Sequence, residues 1–324
     1  MTGLPLLETG QAFAAWRRDT VRWLPAALDI ARSHGLPAND PHIFATGTNL
    51  VLGLGPDLVL KIFPPALRSQ FISERATLKQ LRGRLEIPTP EIVLEGERDQ
   101  WPYLAMTRLS GTLGSEVWPV LPESWKETVL RQIGETIAQV QRAPIGELAL
   151  LEPGWAEFMS RQIAGCRARQ IRLGLPEKYW DELDALVAAA SSLIPMNTAP
   201  VILTGEYIPE NFLLEPAGDG WQLAGLFDFG DVLAGWGEYD LLGPSAFMTE
   251  GRPGRVRNLL QGFGYSPAEI DPALTRRLLT LTFLHRASDP MSKIAIPGWH
   301  HKAATLAELE RMLWPLDAMV HDSL

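Results

Sequence analysis

The chain has 324 residues, 46% hydrophobic, 8% aromatic and 21% charged, the profile of a folded protein of one large domain or two lobes rather than a disordered or fibrous chain. Its 29 Lys and Arg against 38 Asp and Glu leave a net charge of −9, which disfavours general nucleic-acid binding and leaves cationic partners open. A single cysteine, Cys166, with no Cys/His cluster around it excludes an internal disulfide and a structural zinc site and fits a reducing cytoplasm.

The opening residues lack the basic start and apolar run of a signal peptide, so export is not expected. Apolar spacing predicts one helix from about Phe13 to Ile30, stopped at His34-Gly35. The stretch HIFATGTNLVLGLG followed by DLVLKIF then predicts two strands joined by a tight turn around Gly55-Pro56-Asp57. A helix over Leu67 to Arg82 ends at Gly83. IPTPEIVLEG and WPYLAMTRL complete a small antiparallel sheet, with Ser110-Gly111-Thr112 as the junction between lobes.

From Glu123 the pattern is mostly helical: Trp125 to Gln141, Trp155 to Leu173, Glu177 to Leu193, and a long helical tail from Asp271 to Leu316. The longest uncharged stretch, Ala185 to Gly205, is broken by Pro195, Asn197 and Pro200, so no membrane segment is expected. One β-rich island interrupts the helices, with strands at Asn211 to Glu215 and Trp221 to Phe227 around Gly218 and Gly220. Residues 1–110 hold 12 basic and 11 acidic side chains, whereas residues 111–324 hold 17 and 27. That acidity reads either as a solvated surface or as an attractor for a polycation.

Phosphoryl transfer from a nucleotide needs a cation on the phosphates, carboxylate and amide oxygens on magnesium, and a carboxylate near the acceptor hydroxyl. Lys61 in VLKIF and Glu74 on the following helix are ordinary residues singly; their value is positional. Glu206-x-x-x-x-Asn211 and Asp228-Phe229-Gly230 are more specific, because one hairpin separates them and puts three oxygen ligands at one end of it. Asn211 and Asp228 are the expected magnesium ligands, and Glu206 the group at the acceptor hydroxyl.

In this order the residues resemble the aminoglycoside phosphotransferase and choline kinase group, distant relatives of protein kinases, over nearly the whole chain. Thr46-Gly47-Thr48-Asn49 is similar to that group's short nucleotide loop, and ERATLKQL to the helix bearing the lysine's partner. IPTPEIV looks like its Pro-x-Pro strand entry, and WPYLAMTRLSGT like its lobe-linking segment, implying that backbone near Thr107 to Leu109 holds adenine. LFDFGDVLAGWGEYDLLGP resembles the metal-binding segment, in which Asp240 is implied to be structural. LTFLH at Leu281 to His285 and the ending LAELERMLWP add a likeness to hygromycin B phosphotransferases of the 7″ type.

The resemblance implies an α+β, two-lobed protein-kinase-like fold. A small antiparallel sheet lobe spans 1–110, with a helical N-terminal extension and pairing helix; a larger, mostly helical lobe spans 111–324 and carries the catalytic and metal-binding loops and the acceptor site. It further implies ATP or GTP with magnesium, a cytoplasmic monomer or homodimer, and a small cationic acceptor, with hygromycin B as the example. Choline, an amino sugar or another metabolite would suit the same machinery. Asp231, Glu238, Glu250 and Asp289 fall where the family collects substrate ammonium groups; Asp231 is best placed, and could equally brace its loop.

One departure bears on activity. The family's catalytic loop reads His-Gly-Asp-x-x-x-x-Asn, whereas this chain has Thr204-Gly205-Glu206 before Tyr207 to Asn211. The extra methylene of Glu206 moves its oxygens by about 1 Å, and a misplacement of that order can cost roughly 10²-fold in rate. Glu206 is therefore either a working base in a resculpted loop or a relic in a silent nucleotide-binding protein. Elsewhere, His285, His300 and His301 lack the i, i+4 spacing of a helical metal site, Cys166 reads as packed or idle, and Trp155, Trp180, Trp236 and Trp299 read as core more readily than as sugar platforms.

Overall fold

Glycine punctuation divides the early β-rich stretch into three strands rather than two: β1 (His42–Phe44), β2 (Leu50–Leu54) and β3 (Leu58–Ile62). The chain leaves the sheet after β1 for a loop in which Gly47 takes φ +91°, and it returns at Leu50. β3 leads through a short 3-10 turn into α3 (Arg68–Leu81), followed by β4 (Ile92–Arg98) and β5 (Trp101–Thr107). The sheet is antiparallel in the order β1-β2-β3-β5-β4. Ahead of it stand α1 (Gly10–Trp16) and α2 (Thr20–Ser33).

The computed structural model describes residues 3–7, 9–44 and 47–321. The chain divides into two units, the first made of Met1–Gly83, Pro88–Ser110 and Gly225–Val232. Its core follows from the strand period of two. Leu60 and Ile62 of β3 and Leu50, Leu52 and Leu54 of β2 join Phe13, Trp23, Ala27 and Ile30 of α1 and α2 in one apolar cluster. The intervening Lys61 pairs with Glu74 of α3 instead. The single helix expected over 13–30 is two, because the chain turns at Arg17, whose carbonyl accepts the Trp23 indole N–H at 2.8 Å.

The second unit comprises Arg84–Ile87, Gly111–Ala224 and Leu233–Leu324. It opens with β6 (Thr112–Leu113) and α4 (Gly114–Val117), then the long α5 (Glu123–Arg142), α6 (Trp155–Arg172) and α7 (Trp180–Leu193). The β-island holds β7 (Val201–Leu203), β8 (Phe212–Ala217) and β9 (Gly220–Leu226), with β10 (Leu233–Gly235) beyond it. They form a three-stranded sheet, β6-β8-β9, and an antiparallel β10-β7 pair that joins Leu233 to Leu203. Three of these strands were not anticipated: β6 has two residues and β7 and β10 three each, too few for a period to register.

Helices α8 (Leu242–Phe247) and α9 (Pro253–Phe263) follow. Gly134 on α5 and Gly262 on α9 make the crossing of these helices close: a Cβ at the first would land on the Leu259 carbonyl, and at the second on that of Arg131. Arg255 of α9, 1% exposed, is gripped by both Glu123 oxygens at 2.7 Å and by Glu250 at 2.8 Å. The expected long tail is instead α10 (Pro272–Leu284), α11 (Pro290–Lys293), α12 (Trp299–Lys302), α13 (Leu306–Leu313) and α14 (Leu316–His321). Pro290, Pro297, Gly298 and Pro315 lie at three of the four breaks, and at the fourth Thr305 caps α13 by accepting the Glu308 N–H. Among the described residues no helix is long and apolar enough to cross a membrane.

Candidate active site

In the first unit, register places Lys61 opposite Val51 and Leu104 at the middle of the sheet. Its Nζ lies 2.6 Å from Glu74 Oε2 and 2.8 Å from Asp228 Oδ1. Burial alone would discharge the ammonium, but the two carboxylates outweigh it and hold Lys61 protonated well above the usual lysine range. Glu74, buried on α3, is pushed up to about 7 by desolvation against the opposing pull of Lys61. Lys61 keeps Asp228 below the ordinary carboxylate range. Asp228 takes φ +68°, uncommon for a non-glycine residue, which marks a sharp turn where β9 gives way to Asp-Phe-Gly.

The nucleotide-loop candidates lie in the same unit, except that Thr46 falls outside the described residues. Arg17, which caps the C-terminus of α1, donates to the carbonyl of Gly47 and, at 3.5 Å, to that of Asn49. Asn49 Nδ2 donates to Thr48 Oγ1 at 3.4 Å and to Gln70 Oε1 at 2.9 Å. Gln70 Nε2 donates in turn to both Asp231 oxygens, at 3.3 and 3.4 Å. Thr107 ends β5 with its hydroxyl accepting the Glu91 N–H, and the Leu109 side chain lies against Gly225. Gln70 was not singled out from sequence, although it stands one turn before Glu74 on the same helix face.

In the second unit, Glu206 follows Gly205, which adopts φ +70° and so suits a residue without Cβ. Asp240 accepts the Thr204 N–H at 3.0 Å and the Gly205 N–H at 2.7 Å, so the loop is held by its backbone. Burial lifts the Asp240 carboxyl to about 7. Asn211 Nδ2 donates to the Glu206 carbonyl at 3.1 Å and to Glu206 Oε2 at 3.4 Å, so the amide nitrogen ties Asn211 to the Glu206 end of the loop.

Behind this loop, His285 stacks on Tyr239 with ring centroids 4.4 Å apart and an interplanar angle of 22°. Its Nδ1 accepts the Ala287 N–H at 3.1 Å, and the Gly205 backbone lies against the ring. Burial and the nearby Arg286, Lys293 and Arg169 lower its pKa to about 3, so the ring is neutral. Tyr239, His285 and Arg286 are distant from the loop in sequence, and the segments containing Tyr239 and His285 stood out by family likeness without pointing to this contact with the loop.

The donors suit magnesium. Asp228 remains an ionised carboxylate with its side chain 35% exposed, and Asn211 offers a neutral amide oxygen; both are hard ligands. Among the described residues no group of three or more His, Cys, Asp or Glu converges as a closed metal site. Magnesium does not require one, since it binds through one or two carboxylates together with phosphates and water.

The other acidic candidates have partners of their own. Glu238, 7% exposed, accepts from Arg277 at 2.8 Å and from the Tyr265 hydroxyl at 2.6 Å. Asp289 caps α11 through the Ser292 N–H at 3.2 Å, and Glu250 pairs with Arg255. Trp155 packs edge-on against Tyr239 and donates its indole N–H to the Pro195 carbonyl, while buried Trp299 donates to that of Pro290, so both are core. Cys166 is buried, its thiol pushed up to about 11 by desolvation.

A five-stranded antiparallel sheet carrying a buried lysine–glutamate pair, followed by a larger helical part, defines the class of kinase-like phosphotransferases. The chain belongs to the phosphotransferase enzyme family, which it matches over residues 44–276.

Solved structures share the fold. The GDP complex of a wild-type aminoglycoside 2′-phosphotransferase-IIIa is 16% identical, with 90% of this chain and 98% of that one covered and a TM-score of 0.67. A 2″-type aminoglycoside phosphotransferase with GDP and kanamycin is 20% identical, with coverages of 80% and 88% and a TM-score of 0.65. The macrolide 2′-phosphotransferase MphH from Brachybacterium faecium is 17% identical, with coverages of 89% and 97% and a TM-score of 0.57.

Proposed function

We propose that the protein transfers the γ-phosphoryl group of ATP or GTP to a hydroxyl of a small cationic antibiotic, an aminoglycoside such as hygromycin B. The observation that carries this is the buried Lys61 ammonium clasped by Glu74 and Asp228, an arrangement suited to gripping nucleotide phosphates. Glu74 orients Lys61 toward the phosphates. Asn211 and Asp228 supply hard oxygens for magnesium, whose charge offsets that of the phosphates when bound. Glu206, anchored through the Asp240-bound loop, orients the acceptor hydroxyl and takes its proton.

A macrolide acceptor is the second reading, supported by the fold shared with MphH and by the internal partners of Glu238 and Asp289, which leave fewer carboxylates for a polycation. The test is magnesium-dependent release of nucleoside diphosphate from ATP and from GTP across aminoglycosides, macrolides, choline and amino sugars, with the product identified by mass. Stimulation by aminoglycosides supports the first reading and by macrolides the second. Nucleotide binding without release on any acceptor would favour a silent homologue.

A further inference from the structure

Gln70 of α3 reaches both the nucleotide loop and the Asp-Phe-Gly turn within the first unit. Its amide divides the work: the oxygen accepts from Asn49, and the nitrogen donates to Asp231. Gly230 lets the turn come this close, since a Cβ there would lie 3.2 Å from that of Gln70. Asn49 is 4% exposed, and its remaining Oδ1 has no partner among the described residues, so the chain of contacts is buried at the loop end. Few other side chains can serve both ends. Glu would offer Asp231 an acceptor instead of a donor, and Leu would serve neither.

We infer that Gln70 is a positioning residue that locks the Thr48–Asn49 turn to the turn carrying Asp228, and so couples nucleotide affinity to magnesium. The inference rests on the proposed nucleotide-dependent reaction. It also assigns Asp231 to this strut rather than to an acceptor ammonium. Loss of the strut lets the loop and the turn move independently, whereas the Lys61–Glu74 pair persists.

The experiment is titration of a fluorescent ADP analogue at several magnesium concentrations, with thermal melting alongside, on the full chain and on Gln70→Ala, Gln70→Glu and Asp231→Asn. Gln70→Ala is expected to weaken nucleotide binding by roughly five- to tenfold, the scale of one or two neutral hydrogen bonds, and to raise the half-saturating magnesium concentration several-fold. Gln70→Glu should be as weak or weaker. Asp231→Asn keeps an oxygen for the Gln70 amide and should bind within about twofold of the parent.

A lowered melting temperature with unchanged nucleotide and magnesium dependence would reduce Gln70 to a structural part and overturn the inference. So would an Asp231→Asn variant with normal nucleotide binding and a raised acceptor KM. Failure of the unaltered protein to bind nucleotide would overturn the proposed function as well, which separates the two failures.

Discussion

A lysine buried beside two carboxylates is held there by charge, and removing one partner exposes the cost. Lys61→Met leaves Glu74 enclosed without its cation, so the variant is expected to lose about 3 kcal/mol in urea unfolding along with nucleotide binding. Adding Glu74→Gln should restore much of the stability and none of the binding. His285 sets a different dependence. Its pKa falls from 6.5 to about 3 on folding, so between these values the unfolded chain binds more protons and stability rises with pH. Unfolding free energy should therefore drop from pH 6.5 toward pH 4, with a slope approaching roughly 1.4 kcal/mol per unit from this ring. In His285→Gln that slope should be shallower.

Glu206 carries the activity prediction: Glu206→Asp should lower turnover with little change in nucleotide binding if the loop has adapted to the longer side chain, and a gain would mark a damaged site. Asn211 and Asp228 stood out as candidates because each sits in a short local pattern, and the pairing of Lys61 with Glu74 was legible from the order of strand and helix. Gln70 and His285 were not, because their significance lies in contacts across 161 and about 80 residues respectively, which no window of sequence spans.

At the scale of elements, periodicity identified the long amphipathic helices and the sheet strands but not their interruptions. The N-terminal helix divides where Trp23 reaches back to Arg17, and the C-terminal run is interrupted around Pro290, Pro297-Gly298, Thr305 and Pro315. The α5–α9 crossing was equally hidden, since Gly134 inside a helical pattern reads as a weakness rather than a contact. Gly134→Ala would raise helix propensity yet drive a methyl group into the Leu259 carbonyl. The expected net result is a loss of about 1–3 kcal/mol, checked by the urea midpoint. Gly165→Ala, with nothing near its Cβ position, should be neutral or slightly stabilising by the same measurement.

Over the whole molecule, order of motifs carried more than any single motif: a lysine strand, a glutamate helix, a carboxylate–asparagine loop and an Asp-Phe-Gly turn, in that sequence, define the family. The composition contributed only exclusions. The family match begins at residue 44, after α1 and α2 have ended, although these helices cover one face of the sheet with Phe13, Trp23, Ala27 and Ile30. A gene fragment cut at that boundary would encode every residue proposed for catalysis and still present Leu50, Leu52, Leu54, Leu60 and Ile62 to water. Such a fragment is expected to precipitate or bind a hydrophobic dye, so an inactive truncation would report aggregation rather than chemistry.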